Sequence, residues 1–299
     1  MSGSYFLYNE LHYNGLMTDL GSYYFLYYMT MTYKEQMLEQ KRQELAERET
    51  TLTTQTILER YETMKEEGHL ANPSSLKKAL ETDAYGLVAE FKRKSPNVGV
   101  LNAEAVPQVL CPSFAGAGAA AVSMQTNEAF FDSKLAFLRT AYGTIEGNGF
   151  TIPVLRNDVI ISERQLLEAR LFGASAVQLD ADFLSPEEYA QLLTYAHSIS
   201  LEVVVAIHNA NQLSYVQTDA DIVAVVNYDF ATFTADIQTA ISLIEQLPKD
   251  KVLLAEGGVR STEDVRLLKA AGYHGVLLGN YLMSQSDPGA ALLQLRREL

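Results

Sequence analysis

From Leu87 to the C-terminus the chain repeats one pattern. A short run of Val, Ile, Leu and Ala, of strand length, precedes a longer stretch where apolar residues recur every three or four positions among charges. The runs predict strands near 87–91, 119–123, 152–156, 175–179, 202–207, 222–226, 252–256 and 275–279. The amphipathic stretches predict helices near 105–116, 133–142, 162–172, 186–199, 209–216, 234–246, 261–271 and 287–297. Gly118, Gly173 and Gly272 stand between a helix and the next strand, where a helix stop is needed. Eight such units over about 215 residues fit a closed barrel, a fold of roughly 250 residues. An open doubly wound sheet is the alternative. It would carry a Gly-rich fingerprint after its first strand, and no G-x-G-x-x-G occurs. The expected fold class is α/β, a (β/α)8 TIM barrel with an N-terminal helical extension.

The extension spans residues 33–84 and the barrel residues 85–299. Met37, Leu38, Leu45, Leu52, Ile57, Leu58, Tyr61 and Met64 recur at helical spacings among charges. A break near 50–54 separates two helices, with Thr53 or Thr54 as the N-cap candidate. Ser74 or Ser75 starts a short third helix, Leu76–Leu80. Residues 1–32 form a Tyr-rich leader with Tyr5, Tyr8, Tyr13, Tyr23, Tyr24, Tyr27 and Tyr28. It is expected to be flexible; an aromatic arm docking on the barrel or on a second subunit is the alternative. No Lys or Arg precedes Lys34, so the basic start of a signal peptide is missing.

In such a barrel the chemistry sits at the C-terminal ends of the strands. Those ends carry Glu90 and Lys92, then Ser123 and Gln125, then Arg156, Asn157 and Asp158. Asp180 and Asp182 follow the fourth strand, His208 the fifth, and Asn227 and Asp229 the sixth. Glu256-Gly257-Gly258 and Gly279-Asn280 follow the seventh and eighth. Polar residues thus gather where otherwise apolar strands end. Glu90 and Lys92 are two apart, so they leave the first strand on one face. An ion pair that merely rims the core is the bland alternative. The two glycine turns let backbone N–H groups approach an anion, so Gly257, Gly258, Gly279 and Asn280 are the candidate phosphate grip. Glycines serving only tight turns are the alternative there.

A formal net charge of −14 argues against nucleic acid as a partner. Cys111 is the single cysteine, so no internal disulfide forms and a cytoplasmic setting is expected. No apolar run reaches the roughly 18 residues of a membrane span. The expected partner is a small phosphorylated substrate; the sequence leaves the oligomeric state open.

The motifs Ala89-Glu90-Phe91-Lys92-Arg93-Lys94-Ser95-Pro96, Pro153-Val154-Leu155-Arg156-Asn157-Asp158, Ala255-Glu256-Gly257-Gly258 and Leu278-Gly279-Asn280-Tyr281-Leu282-Met283 resemble those of indole-3-glycerol phosphate synthase. Lys41-Arg42-Gln43-Glu44-Leu45-Ala46 is similar to that family's opening helix, and Asp287-Pro288-Gly289-Ala290-Ala291-Leu292 to its last. The resemblance covers roughly residues 33–299. It implies a lyase that closes the indole ring of a carboxyphenylamino deoxyribulose phosphate in tryptophan biosynthesis, losing CO2 and water. No cofactor or metal is implied. Carried over, Glu90, Lys92 and Glu256 match catalytic positions. Ser95 and Phe131 match substrate contacts, Phe131 against the aromatic ring, and Asn227 is added as a further substrate-binding candidate.

The chain departs from the family where protons are moved. Asn157 replaces the family's strand-three lysine, thought to be the general acid, and Val159 its next aromatic. Ala206 replaces the strand-five glutamate, Val226 the strand-six asparagine and Tyr228 the arginine two residues on. Gly257 and Asn280 stand where serines are expected. Asn cannot protonate a substrate, so the ancestral activity is expected to be weakened or altered. Asp180, paired with Asp182, is the expected substitute, since close carboxylates separate their pKa values. Solvated loop acids are the bland alternative for that pair. His208 reads as structural. A non-catalytic binder of a phosphorylated ligand, or a paralogue with a new biosynthetic substrate, is the competing function.

Overall fold

Eight parallel strands close on themselves because their residues alternate between two cores. In the computed structural model, which describes Tyr28 and residues 30–299, the barrel strands are β1 (Leu87–Phe91), β2 (Ala121–Gln125), β3 (Val154–Asn157), β4 (Ala176–Asp180), β5 (Glu202–Ile207), β6 (Ile222–Val226), β7 (Val252–Glu256) and β8 (Gly275–Leu278). Each pairs with its neighbours in sequence, and β1 pairs with β8 to close the ring. On β1, Leu87, Ala89 and Phe91 pack outward with the helices, while Val88 joins Ala121, Leu155, Val204, Ala224 and Leu254 inside the barrel. Period-two alternation then directs Glu90 inward. Register sets Glu90 beside Ser123, Gln125 beside Asn157, Asp180 beside Ala206, and Glu256 beside Val226 and Leu277. The polar residues therefore form one layer above an apolar plug.

The helices are α1 (Tyr33–Thr51), α2 (Thr54–Glu66), α3 (Leu76–Thr82), α4 (Pro107–Gly116), α5 (Glu128–Phe131), α6 (Leu135–Gly147), α7 (Glu163–Leu171), α8 (Pro186–Ser198), α9 (Gln238–Leu243), α10 (Thr262–Ala271), α11 (Asn280–Met283) and α12 (Pro288–Glu298). Thr53 caps α2 and Ser75 caps α3 through their hydroxyls. The helices of the extension pack at different places on the barrel. Leu76 and Leu80 of α3 enter the inner core from the N-terminal end, and an added Cβ at Gly275 would lie 2.7 Å from Leu80. Helix α1 lies on the opposite side, where Met37 borders the cleft. Among the described residues no helix is long and apolar enough to cross a membrane. The Tyr-rich leader lies outside the described residues up to residue 27.

Several expected elements shift for local reasons. Strand β2 starts at Ala121 because the Ala119 N–H closes α4 on the Phe114 carbonyl, at 3.0 Å. Strand β3 starts at Val154 because Pro153 has no N–H to donate. The stretch 209–216 forms two 3-10 turns, Ala210–Gln212 and Tyr215–Gln217. There the Asn209 and Gln212 side chains accept from the N–H groups of Asn211 and His208, offering the backbone an alternative to helix. Before α9, Thr234–Ala235 pairs antiparallel with Tyr228–Asp229 in place of the expected helical start.

Candidate active site

A cleft of about 290 Å³ opens at the C-terminal ends of the strands. Glu90, Lys92, Ser95, Phe131, Asn157, Asp180, Glu256, Gly257, Gly258, Gly279 and Asn280 all line it. Asn227 does not: its Oδ1 accepts from the Ala240 N–H and its Nδ2 donates to the Gly257 carbonyl, both at 2.9 Å. It ties the strand-seven turn to α9.

The floor is a chain of carboxylates and carboxamides. Lys92 Nζ lies 2.7 Å from Glu90 Oε2. Glu90 Oε1 accepts from Asn157 Nδ2 at 3.0 Å, with Ser123 Oγ at 3.2 Å and Gln125 Nε2 at 3.4 Å. The same Asn157 Nδ2 donates to Glu256 Oε1 at 3.2 Å, and Gln178 Nε2 donates to Glu256 Oε2 at 2.9 Å. Asn157 thus bridges the two carboxylates with its two amide protons. Burial first, and then the Glu90 carboxylate, push the Glu256 carboxyl up to about 7 against the Gln178 hydrogen bond. Gln125 Oε1 and Gln178 Oε1 have no hydrogen-bond partner.

The strand-four acids both contact His208. His208 Nε2 lies 3.0 and 3.1 Å from the Asp180 oxygens and 3.5 Å from Asp182 Oδ2. Gln212 Nε2 donates to Asp182 Oδ1 at 2.8 Å, and Lys34 reaches Asp182 Oδ2 at 3.1 Å. Burial disfavours a charged imidazole, but Asp180, then Asp182, and the Tyr228 carbonyl raise His208 to about 9. The acid whose proton affinity rises is Glu256, through its burial and the neighbouring Glu90 carboxylate. Sequence reasoning missed this use of His208; the signal was a histidine one strand from two acids.

At the other end, Gly257 and Gly258 hold φ +77 and +79, a region L side chains avoid. Asn280 begins α11, whose first N–H groups have no intrahelical acceptor. Asn97, not foreseen, accepts from Ser95 Oγ at 2.7 Å and from Asn280 Nδ2 at 3.1 Å, strapping the β1 loop to this turn. Arg260, also not foreseen, lines the cleft just after the glycines. At Gly279 an added Cβ would meet Glu90 Oε2 at 2.6 Å and Lys92 Nζ at 2.7 Å. Its glycine is required by the ion pair.

The aromatic wall is wider than Phe131, over which Lys92 Nζ sits 5.7 Å from the ring centre. Phe183, Tyr228, Phe230 and Val159 border the cleft beside it, with Met37 from α1. Tyr33 caps this wall, 5.2 Å from Phe130 and 6.1 Å from Phe230 between ring centres. Behind it, Lys41 of α1 is fully buried and lies 3.0 Å from Asp158 Oδ1. Arg156 turns out of the mouth to the same carboxylate, also at 3.0 Å. Against its complete burial, Lys41 and then Arg156 hold Asp158 below the usual carboxylate range.

A (β/α)8 barrel with an acid–base floor, an aromatic wall and glycine turns after its last two strands defines a class of enzyme-like sites for small ligands. The family model for indole-3-glycerol phosphate synthase matches residues 34–295, and the chain belongs to that family. It is 39% identical to an indole-3-glycerol phosphate synthase of Bacteroides thetaiotaomicron over 218 residues, covering 73% of this chain and 82% of that one. It is 33% identical to one of Chloroherpeton thalassium over 259 residues, covering 85% and 95%. In fold alone it is similar to thiamine phosphate pyrophosphorylase of Pyrococcus furiosus, with a TM-score of 0.54 at 14% identity, covering 75% of this chain and 96% of that one.

Proposed function

We propose that the chain is a carbon–carbon lyase of the indole-3-glycerol phosphate synthase type that runs the ring closure slowly. Its ligand is a phosphorylated amino-deoxyribulose with an aryl group on nitrogen. The observation that carries this is the Lys92–Glu90–Asn157–Glu256 chain beside the glycine turns. Lys92 faces the ligand carbonyl as an electrostatic anchor, and Glu90 orients it. The aryl ring lies against Phe131 and its aromatic neighbours. The Gly257 N–H donates to the Leu277 carbonyl at 3.3 Å, so the phosphate takes the N–H groups around Gly258 and Asn280, with Ser95 and Arg260 at the rim.

The rate is low because Asn157 has no proton to give and Ala206 and Val226 line the interior with hydrocarbon. One positioned acid is worth about 10²–10⁴-fold. Turnover of the carboxyphenylamino deoxyribulose phosphate is expected at least ~10²-fold below an efficient synthase. Affinity falls less, since the anion turns remain. The test is indole-3-glycerol phosphate formation by wild type, Lys92→Ala, Asn157→Lys, Ala206→Glu and the double variant. The double variant should gain more than either single change, because groups acting in one step are not additive.

The second function, a binder or a paralogue with another biosynthetic substrate, is favoured by the same three replacements. Tight binding of the ligand with no product from wild type or from any variant would select it.

A further inference from the structure

Glu256 has no cation of its own. Among the described residues Asp158 has Lys41 and Arg156, Glu90 has Lys92, and Asp180 and Asp182 share His208, while no ion pair reaches Glu256. It borders the cleft and immediately precedes Gly257, so it stands between the anion turn and the Lys92 wall. Its partners are carboxamides, which serve either protonation state. Gln178 now donates through Nε2, and its Oε1 is unpartnered. Turning that carboxamide over presents Oε1 to a carboxyl O–H. Asn157 keeps donating to Oε1 in both states.

We propose that Glu256 is the proton donor of this site, delivering its carboxyl proton to a ligand oxygen and so doing the work that Asn157 cannot do. This rests on the lyase function given above. In the closing step the Glu256 O–H bond breaks and its electron pair stays on the carboxylate. The proton joins the carbonyl oxygen as the aryl carbon adds to the carbonyl carbon. The aryl–carboxylate bond then breaks, its pair restores the ring, and CO2 leaves. Dehydration delivers a second proton to the departing hydroxyl and releases one from the carbon beside nitrogen. Turnover therefore draws one proton net from solvent and needs no oxidant or reductant. The two carboxylates held 3.0 and 3.2 Å from one amide nitrogen favour retention of a proton between them, consistent with the raised proton affinity of Glu256.

Two measurements on the full chain test this. Carbon-13 NMR of glutamate-labelled, ligand-free protein should show one carboxyl titrating near pH 7, absent in Glu256→Gln and moved lower in Asn157→Lys, where an added cation favours the carboxylate. Steady-state kinetics on the carboxyphenylamino deoxyribulose phosphate should show the wild-type rate falling about tenfold per pH unit above that value. Glu256→Gln should lose that limb and at least ~10²-fold in kcat with KM changed only a few-fold, while Glu256→Asp keeps the limb. Turnover and alkaline limb unchanged in Glu256→Gln would overturn the proton-donor role alone. A wild type that forms no product at any pH would overturn the lyase function, and the role with it.

Discussion

A proton held on Glu256 has a consequence for stability that needs no substrate. In an unfolded chain the carboxyl releases its proton near 4.5; in the folded protein it keeps it to about 7. Between those values the folded state binds more protons than the unfolded state. Stability therefore falls as pH rises through the window, is intact below about 4.5 and levels off above about 7. That interval corresponds to at most about 3 kcal/mol. Glu256→Gln replaces the acid with a neutral group of nearly the same shape. Its oxygen can still accept from Asn157, and its amide can donate to the Gln178 Oε1 that now has no partner. The substitution should be near neutral at pH 4.5 and stabilising by up to about 3 kcal/mol at pH 8. Urea unfolding of both proteins at pH 4.5, 5.5, 6.5 and 7.5 reads the difference directly, since other titrations are common to both. Parallel curves, with a constant offset at every pH, would refute the raised carboxyl.

Gly279→Ala should drive its methyl into the Glu90–Lys92 pair and cost about 1–3 kcal/mol of local strain. Its kcat should fall much more than its affinity for inorganic phosphate, measured by calorimetry; the opposite split would place Gly279 in the anion site after all. Lys41→Met should strip α1 of its buried bond to Asp158 and cost about 3 kcal/mol in denaturant, the low end for a broken buried pair because Arg156 remains. A double-mutant cycle with Asp158→Asn checks that the loss belongs to the pair. Gly257→Ala should weaken phosphate binding while straining a backbone at φ +77, and crystals soaked in phosphate should place the anion at this turn in wild type.

The barrel was legible because its signal is redundant: eight apolar runs, each followed by a helical period, and glycine stops between them. Two strand starts slipped where a single backbone group decided them, at Ala119 and Pro153, while the helix expected at 133–142 runs on to Gly147 and the one expected from 234 starts at Gln238. The 3-10 turns after β5 escaped because the Asn209 and Gln212 side chains, not periodicity, set the backbone there. The layer of polar strand ends was readable, since period two directs Glu90 inward wherever its neighbours pack outward. Partner choice within that layer was not. Asp180 and Asp182 look like a free pair in sequence, yet His208, one strand away, claims both. Asn227 looks exposed to ligand, yet its amide bonds two backbone groups, the Ala240 N–H and the Gly257 carbonyl. Such outcomes depend on which strand ends become neighbours and on distances of an ångström, which residue type alone does not encode.

The most direct test of the proposed site is the rate of indole-3-glycerol phosphate formation by wild type and by Lys92→Ala under saturating carboxyphenylamino deoxyribulose phosphate. Slow turnover, at least ~10²-fold below an efficient synthase and lowered further by about 10²-fold or more when Lys92 is removed, is the expected result. Rapid turnover, or a rate that does not depend on Lys92, would contradict the assignment of the chemistry to the Lys92–Glu90–Asn157–Glu256 floor.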